Sequence, residues 1–245
     1  MPSPDPETRI GATPVPRPES PYWRFYDEVA AVQLRDWLPS TAGTVLDLSC
    51  DGPERAEQLR DAGHTVVRVG TCPLAGVHTV RADTRTLTWL ASGCLDAVVA
   101  ESRALSMCLA TEETARDLAR VLRPGGRLLL VVDSLVTGLA RLADQGKWAE
   151  LADVPSADVV LVSDEDGTLT RCFWPEELQG LLEDSGFDVE WVRPRSVLTP
   201  AAVERALATG GEEALATLVR TEVTLARERE GESTGMHLVA SARRP

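Results

Sequence analysis

The stretch Thr44–Leu59, TVLDLSCDGPERAEQL, decides how the rest of the chain is read. Val45, Leu46 and Leu48 form a short apolar run interrupted by Asp47. Ser49, Cys50, Asp51, Gly52 and Pro53 then break the pattern, and Ala56 and Leu59 resume it at helical spacing. This predicts a strand, a tight turn and a helix start. In an open parallel sheet such a turn lies at the carboxyl ends of the strands, where ligands bind. The helix start adds free backbone N–H groups and a partial positive charge.

The flanking sequence repeats the alternation. Strands are predicted at 44–48, 65–69, 77–81 and 95–100, with a fifth in RLLLVV at 127–132. Helices are predicted near 53–62 and 111–122, and a helix or turn at 84–91. Near-continuous apolar strands between helices imply a parallel sheet buried on both faces. After the fifth strand the pattern changes. Residues 135–152 read as one helix, and VVLV (159–162), SDEDG (163–167) and TLTRCF (168–173) read as a β-hairpin. A hairpin placed there is expected to stand above the carboxyl edge of the sheet. A helix follows, opened by Pro175 and closed by Gly186, then a strand at 189–191. A long helical region from Thr199 to about Glu230 leads to a last strand in GMHLVASARR. The expected fold class is α/β: a Rossmann-like, seven-stranded, mostly parallel sheet with an antiparallel last strand. Helices cover both faces, and residues 135–173 form a small helix-plus-hairpin insertion.

Residues 1–20 hold Pro2, Pro4, Pro6, Pro14, Pro16 and Pro18, which predicts a disordered tail, or alternatively a lid that orders on ligand binding. Residues 21–245 then form one domain. Its first helix, 21–38, crowds Tyr22, Trp23, Phe25 and Tyr26 into five residues of a chain that is only 4 % aromatic. That cluster is either a packing face or a cover for a flat, partly cationic ligand.

Composition narrows the function. The net charge of −13 repels polyanions at long range and argues against a nucleic-acid partner. No run of eighteen apolar residues spans a membrane, and the N-terminus lacks the apolar core of a signal peptide. Five dispersed cysteines without a CxxC pair suggest reduced thiols in a cytoplasmic protein. His64, His78 and His237 have no metal-ligand spacing to cysteine or acid, so no metal is expected. Neither a GxSxG elbow nor a Cys/His pair points to hydrolysis. Dinucleotide binding requires GxGxxG and an acid near the second strand, and both are missing.

The Thr44–Leu59 stretch resembles the first motif of the class I S-adenosylmethionine-dependent methyltransferases, an apolar strand ending in an acid before Gly-x-Gly-x-Gly. Asp47 matches the acid and Gly52 a glycine, whereas Ser49 and Asp51 stand where the family has glycine. CLDAVVAE (94–101) resembles the family's fourth strand, and ARVLRPGGRLLLVV (119–132) its helix, Pro-Gly-Gly turn and fifth strand. The resemblance covers about residues 22–245. It implies S-adenosylmethionine as cofactor, held by Asp47, Ser49, Cys50, Asp51 and Gly52. It further implies Gly70 and Thr71 where the second strand usually ends in a ribose-binding acid, and Asp83 and Thr84 at the adenine. Glu101 would face the methionine end or the acceptor.

The implied reaction is a one-step displacement on an activated methyl group, so the protein mainly aligns the partners and excludes water. A base helps only if the acceptor loses a proton. Glu101, Asp133 and His237 are the candidates, each expected at the carboxyl edge. The acidic charge, the aromatic helix and the hairpin suggest a small-molecule acceptor. The alternative is a methyltransferase-like binding or interaction protein without transfer activity, suggested by Ser49, Asp51 and Gly70.

Overall fold

The computed structural model describes residues 20–49, 52–84, 86–101, 103–163 and 167–245. The expected tail, apart from Ser20, and the site candidates Cys50 and Asp51 lie outside these residues. In chain order the elements are α1 (Pro21–Trp37), β1 (Thr44–Asp47), α2 (Glu54–Asp61), β2 (Thr65–Val69), β3 (His78–Val80), β4 (Leu95–Ala100) and α3 (Thr111–Val121). They continue with β5 (Leu122–Ser134), α4 (Leu135–Asp144), α5 (Trp148–Asp153), β6 (Val160–Ser163) and β7 (Leu169–Phe173). The chain closes with α6 (Pro175–Asp184), β8 (Asp188–Arg195), α7 (Pro200–Glu228) and β9 (His237–Arg243).

The strands form one sheet. The order β3-β2-β1-β4-β5 is parallel throughout. β9 then pairs antiparallel with β5 along Arg127–Asp133, and β8 pairs antiparallel with β9. This is the mostly parallel sheet with an antiparallel last strand expected from the sequence. The hairpin β6–β7 joins the same sheet, because β7 pairs with the last two residues of β5, Asp133 and Ser134.

Alternate residues of each strand feed separate cores, as the period of two requires. Leu46, Val98, Leu128 and Leu130 pack with Leu118, Leu178 and Leu182 of α3 and α6 on one face. Val45, Val66, Val99, Leu129 and Val131 pack on the other, with Leu34 and Trp37 of α1 and Ala56 and Leu59 of α2. A third cluster joins Tyr22 and Phe25 of α1 to Val203, Leu215 and Val219 of α7.

Boundaries differ from the sequence reading in several places. The helix expected over 135–152 is two helices, because Gly146 adopts a left-handed φ of 66° between α4 and α5. β5 begins at Leu122, whose bridge to Leu95 precedes a bulge that accommodates Pro124 and the two glycines. β8 runs on to Arg195 because β9 offers it a full-length partner. At 84–91, read as a helix or turn, the described residues form turns and irregular chain with no helix.

Candidate active site

β1 ends at Asp47, whose carboxylate is fully buried on the face shared with α1 and α2. Its Oδ1 accepts the backbone N–H of Ser49 at 2.8 Å, turning the chain out of the strand. Oδ2 has no hydrogen-bond partner among the described residues, and neither does Ser49 Oγ. Burial pushes the Asp47 carboxyl up to about 6, against the opposing pull of Ser49 and the Arg68 guanidinium.

Arg68 on β2 is the register partner of Asp47. Its side chain is 10 % exposed, with Nε 4.0 Å from Asp47 Oδ2 and Nη2 donating to the Gly52 carbonyl at 2.9 Å. Gly70 follows on the same face, and a Cβ there would lie 3.4 Å from the guanidinium. The position expected to face the ribose is thus bordered by a cation. The Gly70 N–H donates to Val80, and Thr71 beyond it is exposed. Asp83 and Thr84 stand half-buried in the loop after β3.

A cavity of about 1230 Å³ opens beside this edge, lined among others by Trp23 and Tyr26 of α1, Ser49, Gly52, Arg55 of α2 and Glu101. Arg55 binds the carbonyl of Asp27, and Gln58 that of Ala31, so α2 and α1 are tied across it. The aromatic cluster of α1 therefore divides. Tyr22 and Phe25 pack against α7, Tyr26 lines the cavity, and Trp23 does both.

Glu101 follows β4 and is held by Arg195 at the end of β8, with Nη1–Oε2 at 2.7 Å and Nη2–Oε1 at 3.0 Å. Arg195 is 1 % exposed and also donates to Gln33 Oε1 and the Tyr26 hydroxyl. Two non-glycine residues with left-handed backbone, Arg103 (φ 60°) and Ser196 (φ 62°), lie beside this ion pair. Nothing in the sequence had singled out Arg195 or Arg68. The available signal was a cation at an otherwise apolar strand end, in RVG and RPRS.

Asp133 and His237 meet across the β5–β9 pair, with His237 Nδ1 3.0 Å from Asp133 Oδ1. The Arg103 guanidinium donates to Asp133 Oδ2 at 3.1 Å, and Arg141 of α4 lies 3.8 Å from it. Burial pushes the Asp133 carboxyl up, but His237, Arg103 and Arg141 outweigh it and hold it below the usual range. The Tyr26 ring packs edge-on against His237, with centroids 5.4 Å apart. Since Tyr26 lines the cavity and binds Arg195, it links the histidine to Glu101 and the Asp47 edge. His64 instead accepts from Gly43 N–H at the opposite edge. Among the described residues no metal-binding cluster occurs, and no helix is long and apolar enough to cross a membrane.

Residues 36–130 match the family model described as a methyltransferase domain. No curated protein matches the chain. The chain is similar to an S-adenosylmethionine-dependent methyltransferase from Mesorhizobium loti: 18 % identity, 88 % of this chain and 98 % of that one covered, TM-score 0.58. It is also similar to the Burkholderia thailandensis 1,6-didemethyltoxoflavin-N1-methyltransferase, solved with 1,6-didemethyltoxoflavin and S-adenosylhomocysteine. That match has 16 % identity, covers 91 % of this chain and 80 % of that one, and has a TM-score of 0.57. A further match is the [4+2]-cyclase SpnF, with 17 % identity, 89 % and 80 % coverage and a TM-score of 0.53. At these identities the structures speak for the fold alone. Together with the domain match over residues 36–130, the strand order and the acid that ends β1, they show a Rossmann-like methyltransferase fold that resembles the class I S-adenosylmethionine-dependent methyltransferases.

Proposed function

We propose that the chain binds S-adenosylmethionine at the carboxyl edge of β1 and β2 and transfers its methyl group to a small organic acceptor. The observation that carries this reading is Asp47: a buried carboxylate at the end of β1, one oxygen of which has no hydrogen-bond partner among the described residues, next to Ser49, which lines the cavity with Gly52. Such a group favours a cationic ligand, and S-adenosylmethionine is cationic. When bound, it supplies a methyl group already activated by the sulfonium. The residues for holding it are Asp47, Ser49, Gly52, Gly70 and Thr71, with Cys50 and Asp51 between them in sequence and Asp83 and Thr84 toward the adenine. The cavity volume of about 1230 Å³ exceeds the roughly 300–1,000 Å³ of ordinary small-molecule sites, which suits a donor and an acceptor side by side.

The protein's own part in the reaction is alignment, exclusion of water and removal of a proton where the acceptor carries one. His237 suits the last task best. Asp133 accepts its Nδ1–H, which leaves Nε2 as the basic nitrogen and stabilises the imidazolium formed. Glu101 is already engaged by Arg195 and acts in this scheme by fixing the cleft. The free Cys72, Cys94, Cys108 and Cys172 fit a reducing, cytoplasmic setting.

A second reading is favoured by Gly70, which offers no carboxylate, and by Arg68, which borders that space. It is a binding protein, or an enzyme of other chemistry, on the same scaffold; the cyclase named above shows that the fold is not confined to transferases. Titration calorimetry with S-adenosylmethionine and S-adenosylhomocysteine decides between them. Binding by wild type that is lost in Asp47→Ala supports transfer, and no heat at millimolar ligand supports the second reading.

A further inference from the structure

The cavity between α1 and α2 has a charge pattern of its own. Arg55 reaches the carbonyl of Asp27 and Gln58 that of Ala31, contacts that climb both helices together, so the two run parallel as the walls of one groove. Six carboxylates and three guanidiniums line it among the described residues, and the guanidiniums are engaged. Arg24 is held by Glu212 through two contacts of 2.6 Å, Arg55 by Gln58 at 3.1 Å and Asp27 at 3.5 Å, and Arg35 by Asp36 at 3.9 Å. Glu54 and Glu57, both on α2, have no ion-pair partner among the described residues. Glu54 is folded inward, since a Cβ on Gly52 would collide with its Oε2. Ser49, three residues before Gly52, also lines the groove; it is 1 % exposed, and its Oγ has no hydrogen-bond partner among the described residues. A buried hydroxyl left unmet costs free energy, so a polar atom of a guest completes this end of the groove. On the facing helix Trp23 and Tyr26 supply aromatic surface. Unpaired carboxylates on one wall and rings on the other both favour an organic cation and disfavour an anion.

We infer that the methyl acceptor is an organic ammonium compound, held with its cation between the α1 rings and the Glu54 and Glu57 carboxylates and methylated on nitrogen. The inference rests on the donor-binding reading above. The step balances without a further reactant. The ammonium gives one proton to a base or to water, the freed lone pair forms the N–C bond, and the C–S bonding pair stays on sulfur, leaving S-adenosylhomocysteine and a methylated amine. The test is calorimetry near neutral pH on the full chain saturated with S-adenosylhomocysteine. Its probes share one body and differ in charge: 2-phenylethylamine, 2-phenylethanol and 3-phenylpropanoate. The ammonium should bind about tenfold or more tighter than the alcohol, the worth of a cation–π contact and two exposed charge pairs, and the carboxylate weakest. In the double variant Glu54→Gln, Glu57→Gln the ammonium should weaken about three- to tenfold, while the alcohol and S-adenosylhomocysteine change less than about twofold. Mass spectrometry of wild type incubated with S-adenosylmethionine and 2-phenylethylamine should find the methyl group on the amine; binding without methylation overturns the acceptor assignment. An alcohol bound as tightly as the ammonium, a carboxylate bound more tightly, or selectivity unchanged in the double variant overturns the inference. So does failure of all three probes on protein that binds S-adenosylhomocysteine. Should the double variant not fold, Glu54→Gln alone, at an exposed position, should still lower the ratio of ammonium to alcohol affinity about twofold, and an unchanged ratio refutes the assignment. Wild-type protein that takes up no S-adenosylhomocysteine refutes the donor reading itself, and the order of the probes on the free protein then still decides the charge preference.

Discussion

Replacing Glu101 by glutamine removes one charge from an ion pair that joins three elements. Arg195 arrives from β8, Glu101 follows β4, and Tyr26 and Gln33 of α1 complete the guanidinium's shell. Glutamine satisfies one guanidinium nitrogen through its oxygen but points an N–H₂ at the other. Arg195, 1 % exposed, then keeps its charge with no anion to balance it. Breaking a buried pair from one side costs about 3–5 kcal/mol. At about 2–4 °C per kcal/mol for a domain of this size, the melting temperature should fall by roughly 6–20 °C. Removing both charges should recover most of the loss, because the desolvation of two ions goes with them. The double variant Glu101→Leu, Arg195→Met is therefore expected within about 2 kcal/mol of wild type, with a coupling energy of at least about 1 kcal/mol. Urea and thermal denaturation followed by circular dichroism measure all three proteins. A loss below about 1 kcal/mol in Glu101→Gln, or strict additivity in the double variant, would refute the view that this pair holds the cleft together and return Glu101 to the candidate bases.

Asp47 makes a pH prediction of definite sign. Its folded-state carboxyl, near 6, lies above the unfolded value, so the native state binds the extra proton. Its contribution is greatest below about pH 4 and is lost as the pH rises through 6, a change of up to about 3 kcal/mol at about 1.4 kcal/mol per unit. Asp47→Asn should be more stable than wild type at pH 7 and lack this slope in urea titrations between pH 4 and 7. Asp133 has the opposite sign: its lowered carboxyl contributes stability above the unfolded value, lost as the pH falls below it, so Asp133→Asn should flatten the acid limb of the same titration. With an acceptor that loses a proton, His237→Gln should lower kcat by about 10²–10⁴-fold while S-adenosylhomocysteine affinity stays within about twofold; an unchanged rate in steady-state assays rules out the base. Glu222, fully buried, accepts the backbone N–H groups of Val197 and Leu198, so Glu222→Ala should cost about 2–4 kcal/mol in equilibrium unfolding.

The sheet was legible because each strand carries its own burial signature. Val45, Val98 and Leu129 lie in apolar runs that can only be interior, and the turn at Pro124–Gly126 ends α3 by chemistry that is local. The break at Gly146 was less visible, since a single glycine is tolerated within helices and tertiary packing decides its outcome. Asp47, Asp133 and His237 could be placed at one edge because strand direction alone puts them there. What each one touches could not be read, because the partners come from strands and loops far away in sequence. Arg195 reaches Glu101 across 94 positions, and Arg103 reaches Asp133 across 30. An arginine in a strand looks like a surface residue until the opposing acid is known to be buried.

The two buried carboxylates of the edge sit in opposite electrostatic environments. Asp47 has too little positive charge around it, and its carboxyl rises toward neutrality. Asp133 has His237 and two guanidinium groups within 4 Å, and its carboxyl falls. An under-compensated anion gains from a mobile cation that comes and goes, which is what a sulfonium donor with an ammonium group provides. The proposed base role of His237 relies on Asp133, whose carboxyl is held below its usual range and accepts from the imidazole. Exchanging the two environments would disable both ends. A saturated Asp47 would gain nothing from the donor, and an Asp133 that titrated near neutrality would stop orienting His237. In the proposed reading, the difference between the carboxylates would divide the cleft electrostatically into a donor side at Asp47 and an acceptor side at Asp133 and His237.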